Sequence, residues 1–131
     1  MKILVGYSGS GASRATLSVA RDHARIFNAK VFIITSMEGG DHETAQEIKS
    51  AEKGLKEARQ FMEEGGIECE THQVVHGQSP GEDIVWYAED NNVDLVFVGV
   101  EKKSKAQKLL LGSNAQYVIL KSPCPVTTVK S

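Results

Sequence analysis

The chain has 131 residues, 40% of them hydrophobic and 24% charged, with 15 Lys and Arg against 17 Asp and Glu for a formal net charge of −2. That length suits a single domain, residues 1–131, with one core, and the slight acidic excess speaks against a nucleic-acid binder working through a basic surface. No apolar run approaches the length of a bilayer span, the opening KILVGYSG meets turn residues too soon for a signal peptide, and Cys69 and Cys124 lack metal-type spacing, so a cytoplasmic protein with two free, buried thiols is expected.

Ile3 to Val5 is a continuous apolar run of the kind that forms a strand buried on both faces. From Ala15 to Phe27 the period changes, and Leu17, Ala20, Ala24 and Phe27 share one side of a helix. Val31 to Ile34 is a second buried strand. A longer helix from about Asp41 to Glu64 carries a stripe of Ala45, Ile48, Ala51, Leu55, Ala58 and Met62. Glu68 to Val75 reads as a weaker strand. Ser79-Pro80-Gly81-Glu82 then announces a third helix, with Ser79 as cap, Pro80 at the first position and Glu82 closing a capping box. On that helix Ile84, Tyr87 and Ala88 form the inward stripe, so Trp86 and Tyr87 are expected to pack and not to stack on a ligand. Leu95 to Val98 is the third buried strand. A fourth helix starts at Ser113, with Gln116 as its box partner, and must stop before Pro123. Val126 to Val129 closes the chain as a short strand.

Five strands alternating with four helices predict right-handed crossovers and an α/β fold: a mostly parallel sheet in the order 3-2-1-4-5 with helices on both faces. Ligands of such sheets sit outside the carboxyl ends of the strands where the order reverses, here between the first and fourth strands. The loops at that point, residues 7–12 and 99–112, are also the most glycine-marked strand-to-helix connections. The second reads GVEKKSKAQKLLLGS from Gly99 to Ser113, where Lys102, Lys103, Lys105 and Lys108 outweigh Glu101. A glycine-opened, lysine-rich loop feeding a helix N-terminus is suited to hold phosphate, because the first N–H groups of a helix are unpaired and lie at the positive end of its dipole. Other chemistry finds less support. Gly9-x-Gly11 lacks the third glycine of a dinucleotide fingerprint, since Arg14 stands there. His23, His42, His72 and His76 are scattered, and the last two would sit roughly 13 Å apart along a strand, too far to share a metal.

With these residues in view, the sequence resembles the universal stress protein family over essentially its whole length. The family's phosphate pattern is Gly, two residues, Gly, nine residues, Gly, then Ser or Thr; Gly99, Gly112 and Ser113 match it, and Lys102 replaces the second glycine. Ile3 to Ser10 is similar to the family's first strand and turn, and Ser122 to Val129 to its final turn and strand. In nucleotide-binding relatives the first turn carries Asp-Gly-Ser, where this chain has Ser8-Gly9-Ser10, and a small hydroxyl residue stands where this chain has Ala115. The resemblance implies an adenine nucleotide alpha hydrolase-like fold and a site for ATP or AMP, with Mg²⁺ accompanying the nucleotide. Phosphates would contact Gly99, Lys102, Gly112, Ser113 and Asn114; the nucleoside would contact Tyr7, Ser8, Gly9 and Met37, with the Thr35 to Met37 backbone reading the base. It also implies a homodimer through residues 126–129 and a stress-response role in binding and signalling, without catalysis, nucleic acid or membrane. The alternative within the family is a dimeric interaction module that holds no nucleotide, and the changes at Ser8, Lys102 and Ala115 favour it. Lysine at a glycine position costs a left-handed strain of roughly 1–2 kcal/mol or forces another loop path. Ser8 offers a neutral hydrogen bond where a carboxylate would offer a stronger, charge-assisted one.

Overall fold

The computed structural model describes residues 1–101 and 112–130. In chain order the elements are β1 (Lys2–Gly6), α1 (Gly11–Phe27), β2 (Lys30–Met37), α2 (Ala45–Glu64), β3 (Cys69–Val75), α3 (Pro80–Asp90), β4 (Leu95–Val100), α4 (Ser113–Lys121) and β5 (Val126–Lys130). The strands form one sheet in the order β3-β2-β1-β4-β5. Every pairing is parallel, with Ile3 opposite Val31 on one side and Leu95 on the other.

Because side chains alternate across a strand, the apolar runs divide between two cores. Ile3, Val5, Val31, Ile33 and Phe97 face α1 and α2, where they meet Leu17, Ala20, Ala24, Leu55, Ala58 and Met62. Leu4, Phe32, Ile34, Val96 and Val98 face α3 and α4 and meet Ile84, Tyr87, Ala88 and Val118. Burial on both faces is what a run without polar alternation requires.

Helix starts follow the local chemistry, with two corrections to the sequence expectation. α1 begins at Gly11, four residues earlier than its apolar stripe suggests, because Ser10 caps it: Ser10 Oγ accepts from Ser13 N–H at 3.2 Å. α3 has the expected capping box, Glu82 N–H donating to Ser79 Oγ and Ser79 N–H to Glu82 Oε1, both at 3.3 Å. α4 does not use Ser113 as its cap. Gly112 takes that position in an extended conformation, and its carbonyl accepts the first helical bond from Gln116 N–H at 3.0 Å. Ser113 is therefore the first helical residue, and a glycine cap has no side chain to occupy the N–H groups of the opening turn.

Two further expectations are corrected. α2 starts at Ala45, capped by Thr44, and only Leu55, Ala58 and Met62 of its stripe are buried; Ala45 and Ile48, in the first half of the helix, are exposed. Phe27, expected inward, is 47% exposed at the end of α1. Cys69 is buried and Cys124 only half-buried; both are free.

Candidate functional site

The reversal of strand order brings the carboxyl ends of β1, β2 and β4 together beneath the N-termini of α1, α3 and α4. A cleft of about 340 Å³ opens there, within the size range of small-molecule sites. Its apolar side lies on the α3 and α4 face of the sheet, built from Ile34, Val98, Ile84 and Val118. Gly6 lies at its base, and a Cβ there would come within 2.6 Å of Ile84 Cδ1, so the absent side chain is what lets Ile84 close over β1. The polar rim comes from Ser8, Ser10 and Ser13 at the start of α1, Thr35 and Ser36 at the end of β2, and Asn114 and Ala115 in the first turn of α4.

The rim is hydrogen-bonded within itself. Ser8 Oγ lies 3.1 Å from Ser10 Oγ and 3.5 Å from Ser13 Oγ, and the last two are 3.3 Å apart. Ser13 Oγ also donates to the Ser10 carbonyl at 3.0 Å, so its proton is held, whereas the Ser8 and Ser10 hydroxyls can turn their protons outward or inward to suit a guest. Thr35 Oγ1 donates to Tyr7 carbonyl at 2.8 Å and ties the end of β2 to the turn after β1. Asn114 Oδ1 accepts from Gly81 N–H at 2.9 Å, which joins the first turns of α3 and α4. A Cβ at Gly81 would meet the Asn114 carbonyl at 2.9 Å, so the two helices approach this closely only because residue 81 is glycine.

A second cleft of about 510 Å³ lies beside the first and shares Tyr7, Ser8 and Thr35 with it. Its other walls are Gly9, Arg14 and the first three turns of α2, with Lys53 and Arg14 set among Glu47 and Glu57. Tyr7 stands between the clefts. Burial pushes its phenol pKa up; Arg14 opposes that shift and Glu57 adds to it.

The residues expected from sequence fall into three groups. Tyr7, Ser8, Gly99 and Asn114 line the first cleft, and Gly9 lines the second with φ +82°. Gly112 and Ser113 are exposed at the opening of α4, next to Asn114 but outside the walls of either cleft. Met37 is buried at the end of β2 opposite Val75 and lines neither cleft. Lys102, with Lys103, Lys105 and Lys108, lies outside the described residues. Gly99 has a packing reason of its own: a Cβ there would sit 2.7 Å from the Ala12 carbonyl carbon and 2.9 Å from Ser13 N, so the glycine lets the start of α1 rest on β4.

The sequence reading missed Asp83. It is fully buried on α3, accepts a short hydrogen bond from Ser36 Oγ through Oδ2, and leaves Oδ1 without a hydrogen-bond partner among the described residues. His76 Nδ1 lies 3.9 Å from that oxygen, and the His76 ring packs edge-on against Trp86 at 4.5 Å. The available signal was an acid on the inward stripe, one turn before Tyr87. Among the described residues no group of three or more His, Cys, Asp or Glu is placed to hold a metal ion.

Fold and cleft together define a doubly wound parallel α/β protein with a cleft at the switch point between β1 and β4, the place where such folds receive ligands. Comparison with known sequences makes the assignment narrower: the universal stress protein family matches residues 1–130, and the chain belongs to that family. It is 30% identical to universal stress protein MJ0531 of Methanocaldococcus jannaschii, over 98% of this chain and 81% of that relative. Among solved structures, a universal stress protein from Archaeoglobus fulgidus superposes with a TM-score of 0.88 at 31% identity, covering 99% of this chain and 93% of the other. Another, the universal stress protein from Archaeoglobus fulgidus in complex with dAMP, superposes with a TM-score of 0.83 at 28% identity, covering 99% and 98%.

Proposed function

We propose that this protein binds an adenine nucleotide, ATP or AMP, in the switch-point cleft and acts as a single-domain regulatory or signalling component of a stress response. The observation that carries the reading is the convergence of two helix starts, α1 and the exposed start of α4, on one end of a cleft whose other end is apolar. A phosphate suits the first end, where the Ser10 and Ser13 hydroxyls line the cleft and the N–H groups after Gly112 have no side-chain cap. A base suits the second, against Ile34, Ile84 and Val118. The likeness to a family member solved with dAMP supports the same ligand class.

Gly99, Lys102, Gly112, Ser113 and Asn114 would serve the phosphates, Asn114 through its backbone because its Oδ1 is engaged by Gly81. Tyr7, Ser8 and Gly9 would border the ribose, and Met37 would shape the end of β2 from beneath. Mg²⁺ would arrive with a triphosphate and be held by it, since no protein cluster for the ion is found among the described residues. The protein would work in the cytoplasm as a homodimer joined through residues 126–129, by occupancy and not by turnover.

Isothermal titration with AMP and with ATP plus Mg²⁺ is the test. Saturable binding of one nucleotide per chain is expected, and Ser13→Ala with Ser10→Ala should weaken it about tenfold by removing two neutral hydrogen bonds. No heat at millimolar nucleotide would retire the reading. One observation favours the family's other mode, a nucleotide-free interaction module: the three serine hydroxyls already satisfy one another. Mass spectrometry of small molecules released from protein purified without added nucleotide separates the two.

A further inference from the structure

We propose that Ser36, held by the buried Asp83, presents a fixed hydrogen-bond acceptor to the cleft and selects a 6-amino purine over a 6-oxo purine. The inference rests on the nucleotide reading above and adds which residues discriminate the base and in which chemical sense.

A serine hydroxyl carries one proton. In this chain that proton is directed away from the ligand, since Ser36 Oγ donates to Asp83 Oδ2. What remains for the cleft, which Ser36 lines, is the lone pairs of the oxygen. The direction is locked from behind. Asp83 has no exposed surface, its Oδ2 accepts from Ser36, and its Oδ1 lacks a hydrogen-bond partner among the described residues, with His76 Nδ1 3.9 Å away. Turning the Ser36 proton toward a ligand would leave both oxygens of this buried side chain without a hydrogen bond among the described residues, so the hydroxyl does not adapt as those of Ser8 and Ser10 do. A ligand group beside Ser36 is therefore accepted if it donates and refused if it can only accept.

The placement fits a base. Ser36 belongs to β2 and Asp83 to α3, on the far side of β1 from β4 and the α4 start that would receive phosphate. Two interstrand steps separate β2 from β4, about 10 Å, comparable with the span of a nucleoside. Ile34 and Ile84 flank the hydroxyl end of the cleft and keep it apolar, the setting in which a mismatched hydrogen bond is felt most strongly. An exocyclic amine would donate to Ser36 Oγ, whereas a carbonyl at the same ring position would oppose its lone pairs.

The experiment is titration of the full chain, by calorimetry, with AMP, IMP and purine riboside 5′-monophosphate, which has no substituent at position 6. For the wild type we expect AMP to bind tighter than IMP by about tenfold or more, with the unsubstituted compound between them. Ser36→Ala should bring AMP and IMP within about twofold, and Asp83→Asn, which lets the amide donate to Ser36 and frees the hydroxyl proton, should tighten IMP relative to AMP. Equal wild-type affinity for AMP and IMP overturns the base-reading role and leaves the nucleotide reading standing. The same holds if Ser36→Ala keeps the wild-type ratio. Failure of all three compounds to bind overturns the nucleotide reading and this inference with it. Should Asp83→Asn not fold, the wild-type ratio and Ser36→Ala still decide.

Discussion

Gly9 and Gly99 carry the same residue for opposite reasons. At Gly9 there is room for a side chain, with nothing within 4 Å of a Cβ, but φ is +82°, where L-residues are strained. At Gly99 there is no room: the backbone of Ala12 and Ser13 lies within 2.9 Å of a Cβ. Gly9→Ala should thus cost about 1 kcal/mol in urea denaturation. Gly99→Ala should cost more, about 1–3 kcal/mol, because the start of α1 must back away, and it should disturb the cleft as well. The place of Gly99 at the switch-point cleft was legible in the sequence, but its packing role was not, since only the tertiary contact with α1 reveals it. Ser8 and Asn114 were likewise placed at the cleft by the turn and helix-start signals. Asp83 escaped because one acid in an otherwise amphipathic helix reads as a surface residue until Ser36 is found beside it. Met37 ends β2 as expected, but strand alternation turns it to the other side of the sheet from Ser36, which lines the cleft.

Buried apolar runs made β1, β2 and β4 plain, and the Ser79 box made the start of α3 plain, because both signals are local. α4 starts at Ser113 as expected, but its cap lies one residue earlier, since a glycine in extended conformation serves as cap as readily as the serine after it. The front of α2 was misjudged because a helical stripe does not tell how far the sheet extends beneath it. β3 supplies a test of burial. Cys69 sits in the α2-facing core, and burial raises its thiol pKa from the ordinary 9.0 to about 11. A folded-state value above the unfolded one means that the contribution is complete below pH 9 and is lost as pH rises through 11. The wild type should therefore lose about 2 kcal/mol relative to Cys69→Ala between pH 8 and pH 11, measured by denaturant titration across that range. At neutral pH a thiol reagent should modify the half-buried Cys124 first. On the same strand Glu70 has its pKa lowered, chiefly by the hydrogen bond from Lys30. That contribution is present above the unfolded carboxyl pKa and fades as pH falls through the folded value, so Lys30→Met should flatten the acid limb of the stability curve.

The parallel sheet has two edges, β3 and β5, and β5 is the one proposed to meet a second copy. Val96 N–H donates to the Pro125 carbonyl at 3.0 Å, which directs the backbone groups of residues 125, 127 and 129 toward β4 and those of 126 and 128 outward. Thr128→Pro removes an outward N–H while sparing the bond pattern to β4. Sedimentation should find the wild type dimeric and Thr128→Pro monomeric with an unchanged thermal midpoint; a wild-type monomer would refute the proposed assembly. The order of strands was legible because alternating strands and helices with right-handed crossovers admit few arrangements. The cleft's location followed from that order, whereas its Ser36–Asp83 end depended on a contact between β2 and α3 that no spacing encodes. The same order shapes how the chain must come into being. β1 is central, yet its β4 neighbour, the segment 95–97 that covers Ile3 to Val5, is made roughly ninety residues later. While β1, β2 and β3 assemble on a growing chain, one flank of Ile3-Leu4-Val5 stays open to any passing strand. A fragment ending before residue 95 should accordingly precipitate or recruit a holdase, and a ribosome pause in that interval would put solubility at risk before any ligand site exists.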